Sequence, residues 1–317
     1  MAKIAIIGAG FVGSTTAFAL MFSGASREIV LIDKIKEKAH GEAMDLKHCA
    51  SFVKPVDIYA GTYEDCNEAD IVIITAGAPQ VPGQSRLELV ETNTTIMQSI
   101  LEQVLTYCEH PILLVVTNPV DLMSYLTRQI SGLPPSRVIG SGTVLDTSRF
   151  RHLLSVRCGL DPRNVHAYVV GEHGDSEVPL WSSANIAGVT LDHYCRYCDK
   201  ACTEENREEI SQQVREAAYE IIEGKGATYF AISLALTRIV ESIVRDENSI
   251  MTVSTEVYGL YGLNDIYLSL PCILGKTGVQ RIVPVELNSR ESDALHKSAQ
   301  ILKSYLPGKA RETARQL

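Results

Sequence analysis

Short apolar, strand-like runs recur along the first half of the chain, at 4–7, 29–32, 71–75, 112–117 and 137–140, and stretches of helical periodicity separate them. A run of this length without polar interruption suits a strand buried on both faces. Its regular alternation with helices predicts βαβ units around a parallel sheet. After about residue 141 the alternation degrades into helices mixed with short strands, among them Val165 to Val170 and Ile250 to Tyr258. The pattern therefore predicts an α/β chain of two domains, residues 1–140 and 141–317, the second a mixed α+β region. No internal repeat, low-complexity tract or Pro/Ser linker separates them, so tight packing is expected.

The first strand runs into chemistry. Lys3-Ile4-Ala5-Ile6-Ile7 is followed by Gly8-Ala9-Gly10-Phe11-Val12-Gly13 and then by a helical stretch from Ser14 to Ser23. Strand, G-x-G-x-x-G and helix thus occur in the order of a Rossmann doubly wound domain. Gly8 permits the tight turn, Gly10 lets backbone approach a pyrophosphate, Gly13 allows close helix–strand packing, and the helix N-terminus supplies amide donors. The next apolar run ends in Asp33, 20 residues past Gly13. A carboxylate there can accept hydrogen bonds from ribose hydroxyls and would repel a 2′-phosphate, which favours NAD over NADP. The runs at 71–75 and 112–117 end in Ala76-Gly77-Ala78-Pro79 and Asn118-Pro119-Val120-Asp121. Loops at the carboxyl edge of such a sheet are expected to line the cofactor crevice.

Composition narrows the class. A chain of 317 residues with 45% hydrophobic content can bury a sizeable core. A net charge of −9 offers no global attraction for nucleic acid or an anionic membrane, so an anionic substrate must be held by local arginines. There is no apolar run of membrane-spanning length, and Met1 leads straight into a strand without a basic leader, so a cytoplasmic protein is expected. The eight cysteines are mostly scattered, as reduced thiols would be. His193, Cys195, Cys198 and Cys202 do cluster, and such a set could bind zinc. Their spacing matches none of the common paired-cysteine frames, and no metal is expected.

In Gly171-Glu172-His173-Gly174-Asp175-Ser176 a histidine stands beside glycines, where the backbone can turn and the imidazole can face a ligand. It is a candidate general acid/base.

Four motifs in one order, namely the glycine loop with Asp33, the loop Pro79–Leu87, Leu145-Asp146-Thr147-Ser148-Arg149-Phe150-Arg151, and Gly171–Ser176, resemble the NAD-dependent L-lactate/malate dehydrogenase family. The resemblance spans residues 3 to roughly 305 and points to the bacterial lactate branch. It implies an enzyme that interconverts pyruvate and L-lactate, the last step of homolactic fermentation. His173 would give and take the proton, with Asp146 as its partner; read alone, Asp146 could be a helix N-cap. Arg149 would fork onto the substrate carboxylate; otherwise it could make a surface ion pair. Arg86 would be carried over the carbonyl by a closing lid, and a plain surface loop is the alternative.

Gln80 stands where malate dehydrogenases typically carry arginine, and a neutral amide there disfavours a second carboxylate. Thr228 would lie beside the methyl end of the substrate, although a helix-interior threonine needs no function. Asn118 would contact substrate and nicotinamide, or simply make an Asx-turn. Val12, Lys38, Tyr63, Gly77, Ala78, Ser99 and Ser141 would fall near the dinucleotide. A homotetramer is implied, and Arg151 and His166 match positions that hold fructose 1,6-bisphosphate across an interface in allosteric members. Relatives without sugar activation carry the same pair. Two alternatives stay open: a malate or broader 2-hydroxy-acid dehydrogenase, and a non-catalytic NAD-binding descendant.

Overall fold

The computed structural model describes residues 2–79, 86–196 and 202–306, without the side chains of residues 86 and 87. The first half runs β1 (Ala2–Ile7), α1 (Phe11–Ser23), β2 (Ser26–Ile32), α2 (Lys36–His48), β3 (Asp57–Ala60), β4 (Ile71–Ile74), α3 (Arg86–Tyr107), β5 (Ile112–Val115), α4 (Val120–Ser131) and β6 (Val138–Gly140). Then come α5 (Val144–Cys158), β7 (Val165–His166), β8 (Val169–Val170), β9 (Val178–Pro179), β10 (Asn185–Ile186), β11 (Val189–Thr190), α6 (Leu191–Tyr194), α7 (Glu204–Lys225) and α8 (Phe230–Val244). The chain continues through β12 (Ser249–Val257), β13 (Ile266–Gly275), β14 (Gly278–Ile282) and α9 (Ser289–Ser304). All five apolar runs of the first half form strands, and β3, too short and polar to stand out in the pattern, joins them.

The chain folds as two compact units. Unit 1 comprises Met1–Ser141, Thr228–Ile250 and Cys272–Arg281, and unit 2 the remainder. Unit 1 thus gathers two later segments of the chain, and for the first of them the reason is side-chain chemistry on α8. Thr16 Oγ1 in α1 donates to Ser233 Oγ at 3.1 Å, and Ser233 Oγ donates to the carbonyl of Val12 at 3.3 Å. Tyr229 stacks on Phe11 with centroids 5.3 Å apart. These bonds tie α8 to the first helix, more than 200 residues earlier, a pairing that no local pattern encodes.

In unit 1 the strands lie in the order β3–β2–β1–β4–β5–β6, followed by the portions of β12, β13 and β14 that belong to the unit. Its first six strands are parallel, with Ile4 level with Ile29 and Ile71, and Leu113 level with Val72 and Val138. The strand interiors Ile4–Ile7, Ile71–Ile74 and Ile112–Val115 are fully buried, as a sheet covered on both faces requires. In unit 2, α5 and α7 pack with short antiparallel strands around Phe150, Leu154, Val169, Ile186 and Val214. No helix among the described residues is long and apolar enough to cross a membrane.

Candidate active site

The glycine loop closes β1 into α1 in unit 1. Gly8 adopts φ +106°, a backbone state that L-residues rarely take. A β-carbon on Gly13 would lie 1.9 Å from the Gly8 carbonyl oxygen, so only glycine lets the helix come this close. At Gly10, by contrast, a β-carbon would meet nothing nearer than Lys38 Nζ at 3.9 Å; the backbone faces open space with a cation above it. Gly10 caps α1 without a side-chain acceptor, which leaves the amides of the first turn for an anion. Asp33 is fixed beside them: its Oδ2 accepts from the Ala9 N–H at 2.8 Å and its Oδ1 from the Ile35 N–H at 2.9 Å. A carboxylate has about four acceptor sites, so capacity remains for ribose hydroxyls. Burial pushes the Tyr63 phenol up, helped by Cys66 and by the Asp33 charge, which puts Tyr63 within the field of that carboxylate. The residues present fit a dinucleotide.

One buried side chain holds the neighbouring loops. Asn93 on α3 accepts from the Ala78 N–H at 2.7 Å and donates to the carbonyls of Ala78 and Asn118 at 3.3 and 2.8 Å. It thus clamps the segments that follow β4 and β5, with Gly77 so tight that a β-carbon would come within 2.4 Å of Thr117 Cγ2. Sequence reading missed Asn93, since its three bonds reach residues 15 and 25 positions away. Ser141 is buried and donates its N–H to the Val115 carbonyl at 2.9 Å. Val12 offers its carbonyl to Thr16 and Ser233. Ser99 is exposed on α3, where its carbonyl accepts from Gln103. Thr228 lies in the short link between α7 and α8, not inside a helix, so the helix-interior alternative falls away. Gln80 lies outside the described residues. Arg86 opens α3, and its side chain lies outside them too.

In unit 2, the second site is made of charges. His173 Nδ1 lies 2.5 Å from Asp146 Oδ2, and Arg149 Nη1 donates to Asp146 Oδ1 at 2.8 Å. Asp146 is the third residue of α5, past the N-cap position held by Thr143, so the capping alternative is overturned: both of its oxygens face side-chain partners. Its three-residue spacing from Arg149 places the two on one helix face. Burial opposes its charge, but the His173 imidazole and then the Arg149 guanidinium hold its carboxyl below the usual range.

The loop carrying His173 is held from three sides. Thr147 Oγ1 accepts from the Val169 N–H at 2.9 Å, while Thr143 Oγ1 donates to the Val169 carbonyl at 2.5 Å, fixing α5 against β8. Gly171 exchanges backbone bonds of 2.9 Å with Ser269 of β13. Ser298 of α9 accepts from the Glu172 N–H at 2.8 Å. A β-carbon on Gly171, at φ +89°, would fall 2.8 Å from Ser298 Oγ, so the glycine lets α9 press against the loop.

Glu177, four residues beyond His173, was not anticipated. It is buried, and its Oε1 makes no hydrogen bond among the described residues. Burial and, after it, the Asp146 charge push its carboxyl up to about 8, leaving it a neutral acid at pH 7. Elsewhere in this unit Arg151 Nε donates to the Ala167 carbonyl at 2.9 Å with its guanidinium 5.3 Å over the Tyr168 ring, and His166 is exposed. Of the histidine–cysteine cluster, His193 lies in α6, Cys195 caps it and Cys202 precedes α7, while Cys198 lies outside the described residues. No three potential ligands gather to hold a metal ion among the described residues.

Comparison with known proteins identifies the family. Residues 2–140 match the family model described as lactate/malate dehydrogenase, NAD binding domain, and residues 143–312 its alpha/beta C-terminal domain. The chain is 53% identical over 306 residues to an L-lactate dehydrogenase of Thermoanaerobacter sp. (strain X514), covering 96% of this chain and 98% of that one. It is 54% identical over 304 residues to L-lactate dehydrogenase 1 of Clostridium acetobutylicum, covering 96% and 97%. Among solved structures, a lactate dehydrogenase from a Medee basin deep-sea metagenome library superposes with a TM-score of 0.93 at 43% identity, over 96% of this chain and 97% of that one. The minor L-lactate dehydrogenase of Enterococcus mundtii gives the same values. The chain belongs to the lactate/malate dehydrogenase family of NAD-dependent oxidoreductases.

Proposed function

We propose that this chain is an L-lactate dehydrogenase that interconverts pyruvate and L-lactate by a histidine acid/base mechanism, as the last step of homolactic fermentation in the cytoplasm. The observation that carries the reading is the buried Asp146 carboxylate shared between His173 and Arg149. Reduction of a 2-oxo acid needs a proton at the carbonyl oxygen. With Nδ1 committed to Asp146, His173 exchanges that proton through Nε2, as acid towards pyruvate and base towards lactate. The Asp146 charge steadies the imidazolium. Arg149 receives the substrate carboxylate, for which a planar guanidinium is suited. Arg86 polarises the carbonyl, Asn118 and Thr228 bound the substrate, and neutral Gln80 leaves a second carboxylate unpaired. Bound NADH supplies the hydride. Gly8, Gly10, Val12, Gly13, Asp33, Lys38, Tyr63, Gly77, Ala78, Ser99, Asn118 and Ser141 are the residues proposed to hold it. Relatives bearing the L-lactate dehydrogenase name over nearly the full length support this reading.

Oxidation of NADH with pyruvate, oxaloacetate and 2-oxobutyrate in parallel tests it. Pyruvate is expected to have the highest kcat/KM, and Gln80→Arg to shift preference towards oxaloacetate. A wild type that prefers oxaloacetate, or an unchanged ratio in the variant, overturns the lactate assignment.

Arg151, whose guanidinium lies over the Tyr168 ring, and exposed His166 support a second element, a homotetramer activated by fructose 1,6-bisphosphate. A guanidinium meeting its symmetry mate would be repelled, and a bisphosphate would relieve the repulsion. Pyruvate saturation curves at low enzyme concentration are expected to shift left with the bisphosphate and to lose that shift in Arg151→Gln. Superimposable wild-type curves would end the allosteric proposal.

A further inference from the structure

Three thiols meet in unit 2, away from the His173 site. Cys158 ends α5, Cys195 caps α6, and Cys202 lies just before α7. All three pack on the apolar cluster around Phe150, Leu154 and Ile210, Cys202 buried within it and the other two partly accessible at its margin. The Cys195 and Arg157 side chains both act on the Cys202 thiol, Cys195 opposing its ionisation and Arg157 favouring it. That guanidinium also donates to Asn206 Oδ1, and Asn206 closes the capping box of α7 with Thr203. Two thiols at one apolar cluster, one partly accessible and the other buried beside a cation, suit thiol–disulfide exchange.

We propose that Cys195 and Cys202 are a redox-active pair that closes to an intramolecular disulfide by exchange with a low-molecular-weight disulfide. Cys195 is the entry thiol, being the more accessible. Its thiolate attacks one sulfur of the oxidant; the oxidant's S–S bond breaks, and one small thiolate leaves and takes up the proton that Cys195 gave. Cys202 then loses its proton and attacks the Cys195 sulfur of the mixed disulfide, expelling the second small thiol. The two protein thiols are oxidised and one small disulfide is reduced to two thiols, so atoms and electrons balance. Burial and the neighbouring Cys195 push the Cys202 thiol up to about 11. Cys202 is thus a poor first nucleophile, which fixes the order, and Arg157 stabilises its thiolate in the second step. The product ties the end of α6 to the start of α7, across the apolar cluster.

The test uses the full-length protein, treated with oxidised glutathione, alkylated under denaturing conditions and mapped by peptide mass spectrometry. One bond between Cys195 and Cys202 is expected, with a mass loss of about 2 Da, reversal by dithiothreitol, and both thiols protected from alkylation. Cys202→Ser should instead retain glutathione on Cys195, and Cys158→Ser should leave the pair intact. Two thiols that stay alkylatable, a glutathione adduct that persists on Cys195 in the wild type, or a bond from either thiol to Cys158 or Cys198 would overturn the proposal.

Discussion

The glycine loop of unit 1 and the Asp146 cluster of unit 2 solve opposite problems. The loop works by removing side chains: Gly10 opens the backbone to an anion, and Gly13 brings α1 to the Gly8 carbonyl. The cluster works by adding them, burying a carboxylate that would be costly alone and satisfying it with an imidazole and a guanidinium. The loop is therefore sensitive to volume and indifferent to pH, whereas the cluster is sensitive to charge and inherently pH-dependent.

The sharpest way to break this contrast is to neutralise the cluster without changing its shape. Asp146→Asn keeps the volume but removes the charge that supports the imidazolium and leaves Arg149 without its buried counter-charge. Turnover with pyruvate is expected to fall roughly 10²–10³-fold, within the range that positioned acid/base groups supply. The pH at which pyruvate reduction declines should also move down, because His173 would hold its proton less tightly. NADH affinity should change less than turnover, since the charge removed supports the proton transfer and Asp146 is not among the residues proposed to hold the dinucleotide. Near-wild-type turnover in this variant would remove Asp146 from the mechanism.

The converse experiment adds volume without charge. Gly13→Ala places a methyl 1.9 Å from a backbone oxygen that cannot rotate aside. The loop must open, at an expected cost of about 1–3 kcal/mol in stability and a NADH Kd weakened by roughly 10-fold or more, that factor being about 1.4 kcal/mol. The pH profile of turnover at saturating NADH should stay in place. Thermal unfolding and NADH fluorescence titration read the two effects, and a variant with unaltered NADH affinity would refute the close-packing role of Gly13.

The same contrast explains what could be read from sequence. The glycine loop lies within six residues plus Asp33, each element contiguous, so spacing alone marks it. His173 is legible for the same reason, but its bond to Asp146 spans 27 residues, and only family resemblance pairs them. Asn93 and Ser298 were invisible because their partners come from other elements. Assignment of α8 to unit 1 was missed likewise, resting as it does on Ser233 meeting Thr16. Glu177 escaped for a different reason: a glutamate directly after the polar hexapeptide Gly171–Ser176 reads as solvated, and nothing local reveals its burial.

Glu177 sharpens the comparison further, because it titrates in the sense opposite to Asp146. Asp146 is held below the usual carboxylate range, so its contribution to stability is present above its unfolded pKa and fades as pH falls through the folded one. Glu177 is pushed up to about 8 from an ordinary 4.5, and below 4.5 it is neutral in both states. Between 4.5 and 8 the unfolded chain gives up this proton while the folded protein keeps it, so stability falls as pH rises, by up to about 1.4 kcal/mol per pH unit. Glu177→Gln keeps the shape and removes the titration. The stability of the variant relative to wild type should rise steadily from pH 5 to pH 8 and level off above, when urea unfolding is measured across that range. A difference that stays constant with pH would mean that Glu177 is already ionised in the folded protein, with a hydrogen-bond partner for its Oε1.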